Sequence, residues 1–201
     1  MRKIVFASWN SKKAAEIQRM TPGGIKFVCL KDIPEAADVP QAEENGTTFK
    51  ENATIKAKYW AEKLNMPVLA EDSGIEIDAL NGYPGVYTKH CIEKLRPGAK
   101  ANTDKPDELY PVLLELMSES GNPSTQAKWV SAMAFIDSEK EVFATEYLLG
   151  DMCPCTGERV FGFDQYFRPT GLNKTLSELS PEEKDSYGPR KRAFESILNQ
   201  L

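Results

Sequence analysis

The chain has few of the residues from which metal–sulfur and zinc sites are made. Its 201 residues include one histidine, His90, and four cysteines, Cys29, Cys91, Cys153 and Cys155. The last two cysteines are separated by a single residue, which is the wrong spacing for a zinc knuckle, and one histidine cannot complete such a site. We therefore expect reduced thiols, as in the cytoplasm, and no structural zinc.

The chain also lacks a long hydrophobic run and an excess of positive charge. No stretch approaches the roughly 20 apolar residues of a membrane span, and residues 1–7 do not resemble a signal peptide. The net charge of -5 and pI of about 5.1 argue against a general nucleic-acid binder. We expect a cytoplasmic protein with neither membrane nor nucleic-acid partners. The net charge does not argue against a nucleotide substrate, because the charge of a nucleotide is met locally.

The first loop lacks both glycine-rich phosphate signatures, GxxxxGK[ST] and GxGxxG. Residues 3–7 nevertheless predict a strand, and residues 12–20 predict a helix with Ser11 as its N-cap. Such a turn gathers N–H groups that suit a phosphate, although most turns of this kind bind nothing. Lys12 and Lys13 lie in the first helical turn, where the helix dipole disfavours cations unless an anion is near.

Two adjacent acids interrupt the most apolar segment of the chain. Residues 67–70 predict a buried strand, Glu71 and Asp72 follow it, and residues 75–78 predict a second, half-buried strand. We expect Ser73 and Gly74 between the strands to reverse the chain. Carboxylates at the tip of a buried strand need a metal ion, a lysine or both, whereas a solvated acidic turn needs neither.

Other elements follow from caps, turns and periodicity. Thr48 and Glu51 form a capping box before a helix with one apolar stripe, and Lys56 lies beside that stripe. Residues 127–136 and 141–149 predict an antiparallel hairpin, and residues 150–159 predict a loop. Pro189 begins a last helix whose basic first turn suits an anion or a surface salt bridge.

The order of several motifs resembles the inosine triphosphate pyrophosphatase family over nearly the whole length. The motifs are 8–13 (SWNSKK), 44–49 (ENGTTF), 51–57 (ENATIKA), 71–74 (EDSG), 82–87 (GYPGVY), 161–164 (FGFD), and Lys184 followed by Arg190. The resemblance implies an α/β fold formed by one domain, residues 1–201. It implies an elongated, mixed and curved sheet flanked by helices, with two lobes and a central nucleotide cleft.

The resemblance also implies an activity and a set of site residues. The activity is hydrolysis of deaminated purine nucleoside triphosphates to a monophosphate and pyrophosphate, by a Mg²⁺-dependent homodimer. The implied metal ligands are Glu44, Asp72 and, as an assisting acid, Glu71. The implied catalytic residues are Asp72, which orients or deprotonates water, Lys56 and Glu44. The implied substrate-binding residues are Ser8, Asn10, Lys13, Ser73, Phe161, Asp164, Lys184 and Arg190.

Five positions depart from the pattern of that family. Trp9 replaces a glycine, Glu71 replaces an aspartate, and Gln165 replaces a proline. Gly188 and Pro189 stand where the family has serine and a histidine that reads the base. With an acid kept at position 71, the changes leave the metal and phosphate apparatus in place, and they bear mainly on base selectivity. The alternatives are therefore a pyrophosphatase with another base preference, such as a modified pyrimidine or standard purine, and a catalytically silent nucleotide-binding module.

Overall fold

The computed structural model of the chain describes residues 2–88, 106–154 and 163–201. Four residues named above, His90, Cys91, Cys155 and Phe161, lie outside these ranges. The predictions made for them are therefore not addressed by the structure.

The described residues form six strands and five helices. The strands are β1 (Arg2–Phe6), β2 (Ile25–Cys29), β3 (Val68–Ile77), β4 (Gln126–Ile136), β5 (Glu141–Met152) and β6 (Phe167–Pro169). The helices are α1 (Ser11–Met20), α2 (Phe49–Leu64), α3 (Pro106–Glu119), α4 (Pro181–Tyr187) and α5 (Pro189–Leu198). No helix of this part of the chain is long and apolar enough to cross a membrane.

The strands form one sheet in the order β2-β1-β3-β4-β5-β6. β1 pairs in parallel with β2 and β3, whereas β5 and β6 are antiparallel. The sheet is therefore mixed, and with its helices it confirms the predicted α/β class. The predicted elongation and central cleft stay predictions.

The chain divides into two compact units. That these units together form the single predicted domain, residues 1–201, stays a prediction. The first unit comprises Met1–Ser73, Ser131–Glu146 and Pro189–Leu201. The second comprises Gly74–Val130 and Tyr147–Gly188.

The first unit has an apolar cluster on each face of its sheet. On one face, Phe6 and Leu69 pack with Ile17 of α1 and Phe194 of α5. On the other face, Val5, Val68 and Ala70 pack with Ala53, Ala57 and Trp60 of α2. A strand covered on both faces is apolar at every position, which explains the continuous run 68–70.

The prediction that Ser73 and Gly74 reverse the chain is wrong. β3 runs without interruption from Val68 to Ile77, so Glu71 and Asp72 lie in the middle of a strand. Continuing the strand keeps Ile75 and Ile77 on one face, where both are fully buried in the core of the second unit. Burial of these two side chains outweighs the local turn preference of serine and glycine.

The predicted α2 cap and the predicted hairpin are confirmed. Thr48 caps α2 and forms a capping box with Glu51. In the turn between β4 and β5, the Asp137 carboxylate accepts backbone N–H bonds from Glu139 and Lys140 at 2.8 and 2.9 Å. The side chains of Thr48, Glu51 and Asp137 thus accept hydrogen bonds from backbone N–H groups that have no partner within the helix or between the strands.

The predicted loop 150–159 is wrong at its start, because β5 continues to Met152. Gly150, Asp151 and Met152 pair with β6. A Cβ at Gly150 would lie 2.4 Å from the Arg168 carbonyl oxygen and 2.6 Å from the Phe167 ring. Glycine therefore marks a close approach of two strands here, and not a loop.

Candidate functional site

Two adjacent carboxylates of β3 lie on opposite faces of the sheet. Successive side chains of a strand alternate between faces, so Glu71 lies with Leu69, and Asp72 lies with Ala70. The first face is covered by α1 and α5, and the second by α2. Each acid consequently has its own set of polar partners, all within the first unit.

Glu71 is held by two hydrogen-bond donors and one ion pair at the α1 and α5 face. Its side chain is completely buried, and its Oε1 accepts hydrogen bonds from Arg190 Nε and Ser131 Oγ, both at 2.8 Å. Its Oε2 lies 3.2 Å from Lys13 Nζ. Arg190 also binds the carboxylate of Glu16 on α1. These contacts form a buried network of alternating charges.

The charges within this network shift several pKa values. Burial alone would raise the pKa of Glu71, but the charges of Arg190 and Lys13 outweigh it and lower the pKa to about 2. Burial would lower the pKa of Arg190, but Glu71 and Glu16 raise it. Burial lowers the pKa of Lys13, and the charge of Glu71 opposes that shift.

The loop from β1 to α1 positions Lys13. The Asn10 backbone N–H donates to Ser8 Oγ at 3.1 Å, and Asn10 Oδ1 accepts from the Lys13 backbone N–H at 3.3 Å. Asn10 thus takes the N-cap role that was predicted for Ser11. At its tip, Lys13 Nζ donates to Ser73 Oγ at 3.0 Å, while 28% of the lysine side chain stays exposed. Lys13 can therefore meet a ligand from solvent.

Asp72 lies on the α2 face in a less balanced environment. Its Oδ1 accepts the Ser73 backbone N–H at 3.1 Å, whereas its buried Oδ2 has no hydrogen-bond partner. Burial raises the pKa of Asp72, while Lys56 and Asn52 oppose that shift and the negative charge of Glu44 adds to it. A buried carboxylate oxygen without a donor is costly and suits an added cation.

Lys56 pairs with a second acid on this face, Glu44, and its charge also acts on Asp72. Its Nζ lies 2.7 Å from Glu44 Oε2 and donates to the Glu71 backbone carbonyl at 3.2 Å. The segment of Glu44 reaches α2 through Gly46, whose N–H donates to Asn52 Oδ1 at 2.8 Å. A Cβ at Gly46 would lie 2.7 Å from the Cβ of Glu51, so only glycine allows this approach.

The fit of these donors to a divalent cation is partial, as expected for magnesium. Among residues 2–88, 106–154 and 163–201, no group of three or more His, Cys, Asp or Glu residues could hold a metal ion by itself. Mg²⁺ typically uses one or two carboxylates and takes its other oxygens from water and substrate phosphates. Asp72, with its orphaned oxygen, and the neighbouring Glu44 match that donor set. Glu71 lies on the other face of the sheet, where Arg190 and Ser131 donate to its Oε1. Its buried Oε2 also has no hydrogen-bond partner, but it lies 3.2 Å from the Lys13 ammonium group, which already supplies a positive charge.

The second unit contains a separate pair of predicted site residues. Lys184, in α4, binds the buried carboxylate of Asp164. Next to Asp164, Phe163 is buried and packs edge-on against Trp129, with ring centroids 6.4 Å apart. Phe163 is therefore a core residue, and stacking by the preceding Phe161 stays a prediction.

The structure thus groups the predicted residues into two sets. The first unit brings together Ser8, Asn10, Lys13, Glu44, Lys56, Glu71, Asp72, Ser73 and Arg190. The second unit brings together Asp164 and Lys184. Lys13, Glu44 and Lys56 lie close enough to Asp72 for their charges to act on its pKa, and the roles predicted for these residues stay predictions.

Three polar partners were missed in the sequence, although two of them left a signal. Ser131 interrupts the apolar run 130–136, and Glu16 lies one helical turn after Lys13. Asn52 lies one turn before Lys56 and within the motif 51–57, but it was given no site role. A polar residue in a buried strand indicates a hydrogen-bond partner on the same face of the sheet.

Trp9 lies beside this group and differs from the other aromatic residues of the first unit. It is 39% exposed and contacts Trp60 edge-on, with ring centroids 6.3 Å apart. Trp60 in turn contacts Tyr59 at 5.4 Å. The exposed indole therefore rests on a buried aromatic base next to the Ser8–Asn10 turn.

Together these features define a mixed α/β protein in which two adjacent acids of a central strand are surrounded by lysines from the flanking helices. The model of the Ham1 family matches residues 4–200, and the chain belongs to that family.

Its relatives share the full length of the chain. It is 34% identical to a dITP/XTP pyrophosphatase of Oceanobacillus iheyensis, with 100% of this chain and 98% of that protein covered. It is 36% identical to a dITP/XTP pyrophosphatase of Mycobacteroides abscessus, with 99% and 94% covered. The solved structure of a HAM1 protein from Coxiella burnetii is 30% identical, covers 100% of both chains and has a TM-score of 0.85. The Staphylococcus aureus Ham1 protein is 28% identical, with 100% and 96% covered and a TM-score of 0.79.

Proposed function

We propose that this protein hydrolyses non-standard purine nucleoside triphosphates, such as dITP, ITP and XTP, to the monophosphate and pyrophosphate. Two findings support the proposal. The relatives named dITP/XTP pyrophosphatase match over the full chain. In addition, Lys13, Lys56 and Glu44 lie close to Asp72 of the central strand. A triphosphate carries several negative charges, and lysines and a metal ion can neutralise them in the transition state.

The observation that carries the proposal is the environment of Asp72. Its Oδ2 is buried without a hydrogen-bond partner, and burial raises the pKa of its carboxyl. A general base is most effective when its pKa lies closer to the working pH than that of an ordinary carboxyl. We propose that Asp72 orients the attacking water and accepts its proton.

Magnesium is the metal that these residues fit best. We propose that Asp72 and Glu44 hold Mg²⁺, which would supply a Lewis acid for the phosphate oxygens and for the leaving pyrophosphate. Lys56, 2.7 Å from Glu44, fixes that carboxylate before the ion arrives and supplies positive charge to the polyphosphate.

The two ends of the substrate are assigned to different residues. Lys13 and Asn10, with Ser8 and Ser73, would bind phosphate oxygens, because the β1–α1 turn presents a partly exposed ammonium group beside a helix N-terminus. Asp164 and Lys184 would contact the base and sugar, and Phe161 would stack on the base. Arg190 would contribute to base recognition only if its bonds to Glu71 and Glu16 are rearranged.

The test is the variant Asp72→Asn, assayed for pyrophosphate release from dITP, XTP, dGTP, ATP and a pyrimidine triphosphate with Mg²⁺. We expect the wild type to prefer dITP or XTP and the variant to lose about 10²- to 10⁴-fold in kcat. The variant should stay folded, since a raised pKa means that the charged Asp72 destabilises the fold at neutral pH. Its Tm at pH 7 should therefore not fall. Unchanged kcat in a folded variant would overturn the role of Asp72, and no turnover by the wild type would overturn the function.

We also propose a cytoplasmic homodimer, as the family resemblance implies. The buried Cys29 forms no disulfide, which suits a reducing compartment. Light scattering of the purified protein should give twice the chain mass of 22.5 kDa. A mass of one chain across the working concentration range would contradict this proposal.

A further inference from the structure

We infer that Glu71 is a positioning residue that holds the Lys13 ammonium group in place for the polyphosphate, and that it is not a metal ligand. The inference rests on the proposed function, and it assigns to Glu71 a role different from that of its neighbour Asp72. The observation behind it is the buried network of Glu16, Arg190, Glu71 and Lys13, with Ser131, described above.

The first step of the argument is the orientation of the carboxylate. Arg190 and Ser131 both donate to Oε1 of Glu71 at 2.8 Å, which leaves Oε2 facing Lys13. A fully buried carboxylate with two donors on one oxygen cannot rotate without losing both bonds. Glu71 therefore presents a fixed oxygen to the lysine.

The second step concerns the lysine itself. A lysine side chain has four flexible carbon–carbon bonds and loses about 2 kcal/mol of rotamer entropy when it is fixed. Glu71 at 3.2 Å and Ser73 at 3.0 Å hold Nζ of Lys13 before any ligand arrives. A ligand then meets an ammonium group that is already ordered, and preorganisation of this kind strengthens binding.

The third step is the balance of charge. Without Arg190, the Glu71 carboxylate would neutralise Lys13 and remove the charge that a phosphate needs. Arg190 satisfies Glu71, and Glu16 in turn satisfies Arg190, so the four side chains carry two positive and two negative charges. Lys13 is thereby held by an acid whose charge is already compensated.

The fourth step separates Glu71 from the metal ligands. Asp72 and Glu44 lie with Lys56 on the α2 face of the sheet, whereas the Glu71 side chain lies on the α1 and α5 face. Lys56 meets Glu71 at the backbone carbonyl of that residue and not at its carboxylate. Magnesium dependence should therefore involve Asp72 and Glu44 and leave Glu71 out.

The test is a double-mutant cycle read by calorimetric binding of inorganic tripolyphosphate in EDTA, which removes both turnover and metal from the measurement. Glu71→Gln should weaken binding about tenfold in the wild type and less than twofold in Lys13→Met. In Lys56→Met, the matched control on the other face, the tenfold loss should persist. Coulomb's law alone predicts the opposite sign, because removing a negative charge strengthens binding of an anion.

Several outcomes would overturn the inference. They are tighter or unchanged binding by Glu71→Gln, an equal loss in the Lys13→Met background, and no binding by the wild type. A higher half-saturating Mg²⁺ concentration for turnover by Glu71→Gln would make it a metal ligand instead. If Glu71→Gln does not fold, Ser131→Ala serves in its place, since it removes one of the two donors to Oε1 without changing a charge and should weaken binding two- to fivefold.

Failure of the inference can be distinguished from failure of the proposed function. The proposed function fails if the wild type does not release pyrophosphate from any nucleoside triphosphate. The positioning role fails if the cycle is additive, whatever the turnover.

Discussion

Replacing Arg190 by methionine should destabilise the protein far more than replacing an exposed arginine on the same helix. Arg190 is almost buried, with 12% of its side chain exposed, and it binds Glu71, whose side chain is fully buried. Methionine keeps much of the volume and removes the charge. The variant leaves a buried carboxylate with only Lys13 and Ser131 as partners.

The expected magnitude follows from this burial. Removing one partner of a buried ion pair typically costs about 3–5 kcal/mol, because the remaining charge is uncompensated. For a chain of this length each kcal/mol lowers Tm by about 2–4 °C, so Arg190→Met should lower Tm by about 6–20 °C. Arg192→Met is the matched control, since Arg192 lies two residues further along α5 and pairs with Glu146 at 3.5 Å, both side chains being 39% exposed. It should cost about 0–1 kcal/mol.

The assay is thermal unfolding of both variants and of the double variant Arg190→Met, Glu71→Gln. If the uncompensated carboxylate causes the loss, the double variant should be more stable than Arg190→Met alone, because the buried charge is gone. Equal Tm values for the Arg190 and Arg192 variants would refute the reasoning. A double variant that is less stable than Arg190→Met would refute it as well.

The same network predicts a loss of stability in acid. Glu71 has a folded-state pKa of about 2 and an ordinary value of 4.5, so its contribution is complete above pH 4.5 and is lost as the pH falls towards 2. The difference corresponds to about 3 kcal/mol. Denaturant unfolding of Glu71→Gln should show a flatter dependence on pH in this window than the wild type. Parallel curves would contradict the assigned pKa.

Two further variants test the site and the sheet. Lys56→Met should lower kcat/KM about 10²-fold in steady-state kinetics, because a cation beside the reacting phosphates is lost. The control is Lys58→Met, at an exposed neighbouring lysine, which should lower kcat/KM less than twofold. Gly150→Ala should lower the free energy of unfolding by about 1–3 kcal/mol, because the new Cβ meets the backbone of β6. The control is Gly23→Ala, whose Cβ meets open space. Equal denaturant midpoints for the two variants would contradict the packing at Gly150.

Features of the fold that depend on contacts between residues close in the chain could be predicted from the sequence. Features that depend on burial against distant segments could not. The capping box at Thr48 and the hairpin turn at Asp137 involve contacts within a few residues, so the sequence indicates them directly. The continuity of β3 depends on Ile75 and Ile77 finding a core formed by distant segments. No local pattern shows that such a core exists, and the turn preference of Ser73 and Gly74 was therefore misleading.

The candidate site was predicted as a set of residues but not as a set of contacts. Motif order identified Lys13, Glu44, Lys56 and Asp72, and the structure brings them together. The partners of Arg190 could not be predicted, because Glu71 is 119 residues away in the chain. Strand alternation, once β3 is known to be continuous, explains why adjacent acids acquire different neighbours.

The most direct test of the central claim is hydrolysis of dITP in water enriched in ¹⁸O, followed by mass spectrometry of both products. Attack of a water oriented by Asp72 on the α-phosphorus predicts one ¹⁸O atom in the monophosphate and none in the pyrophosphate. Label in released phosphate or pyrophosphate, with a diphosphate or unlabelled monophosphate as the other product, would contradict the account.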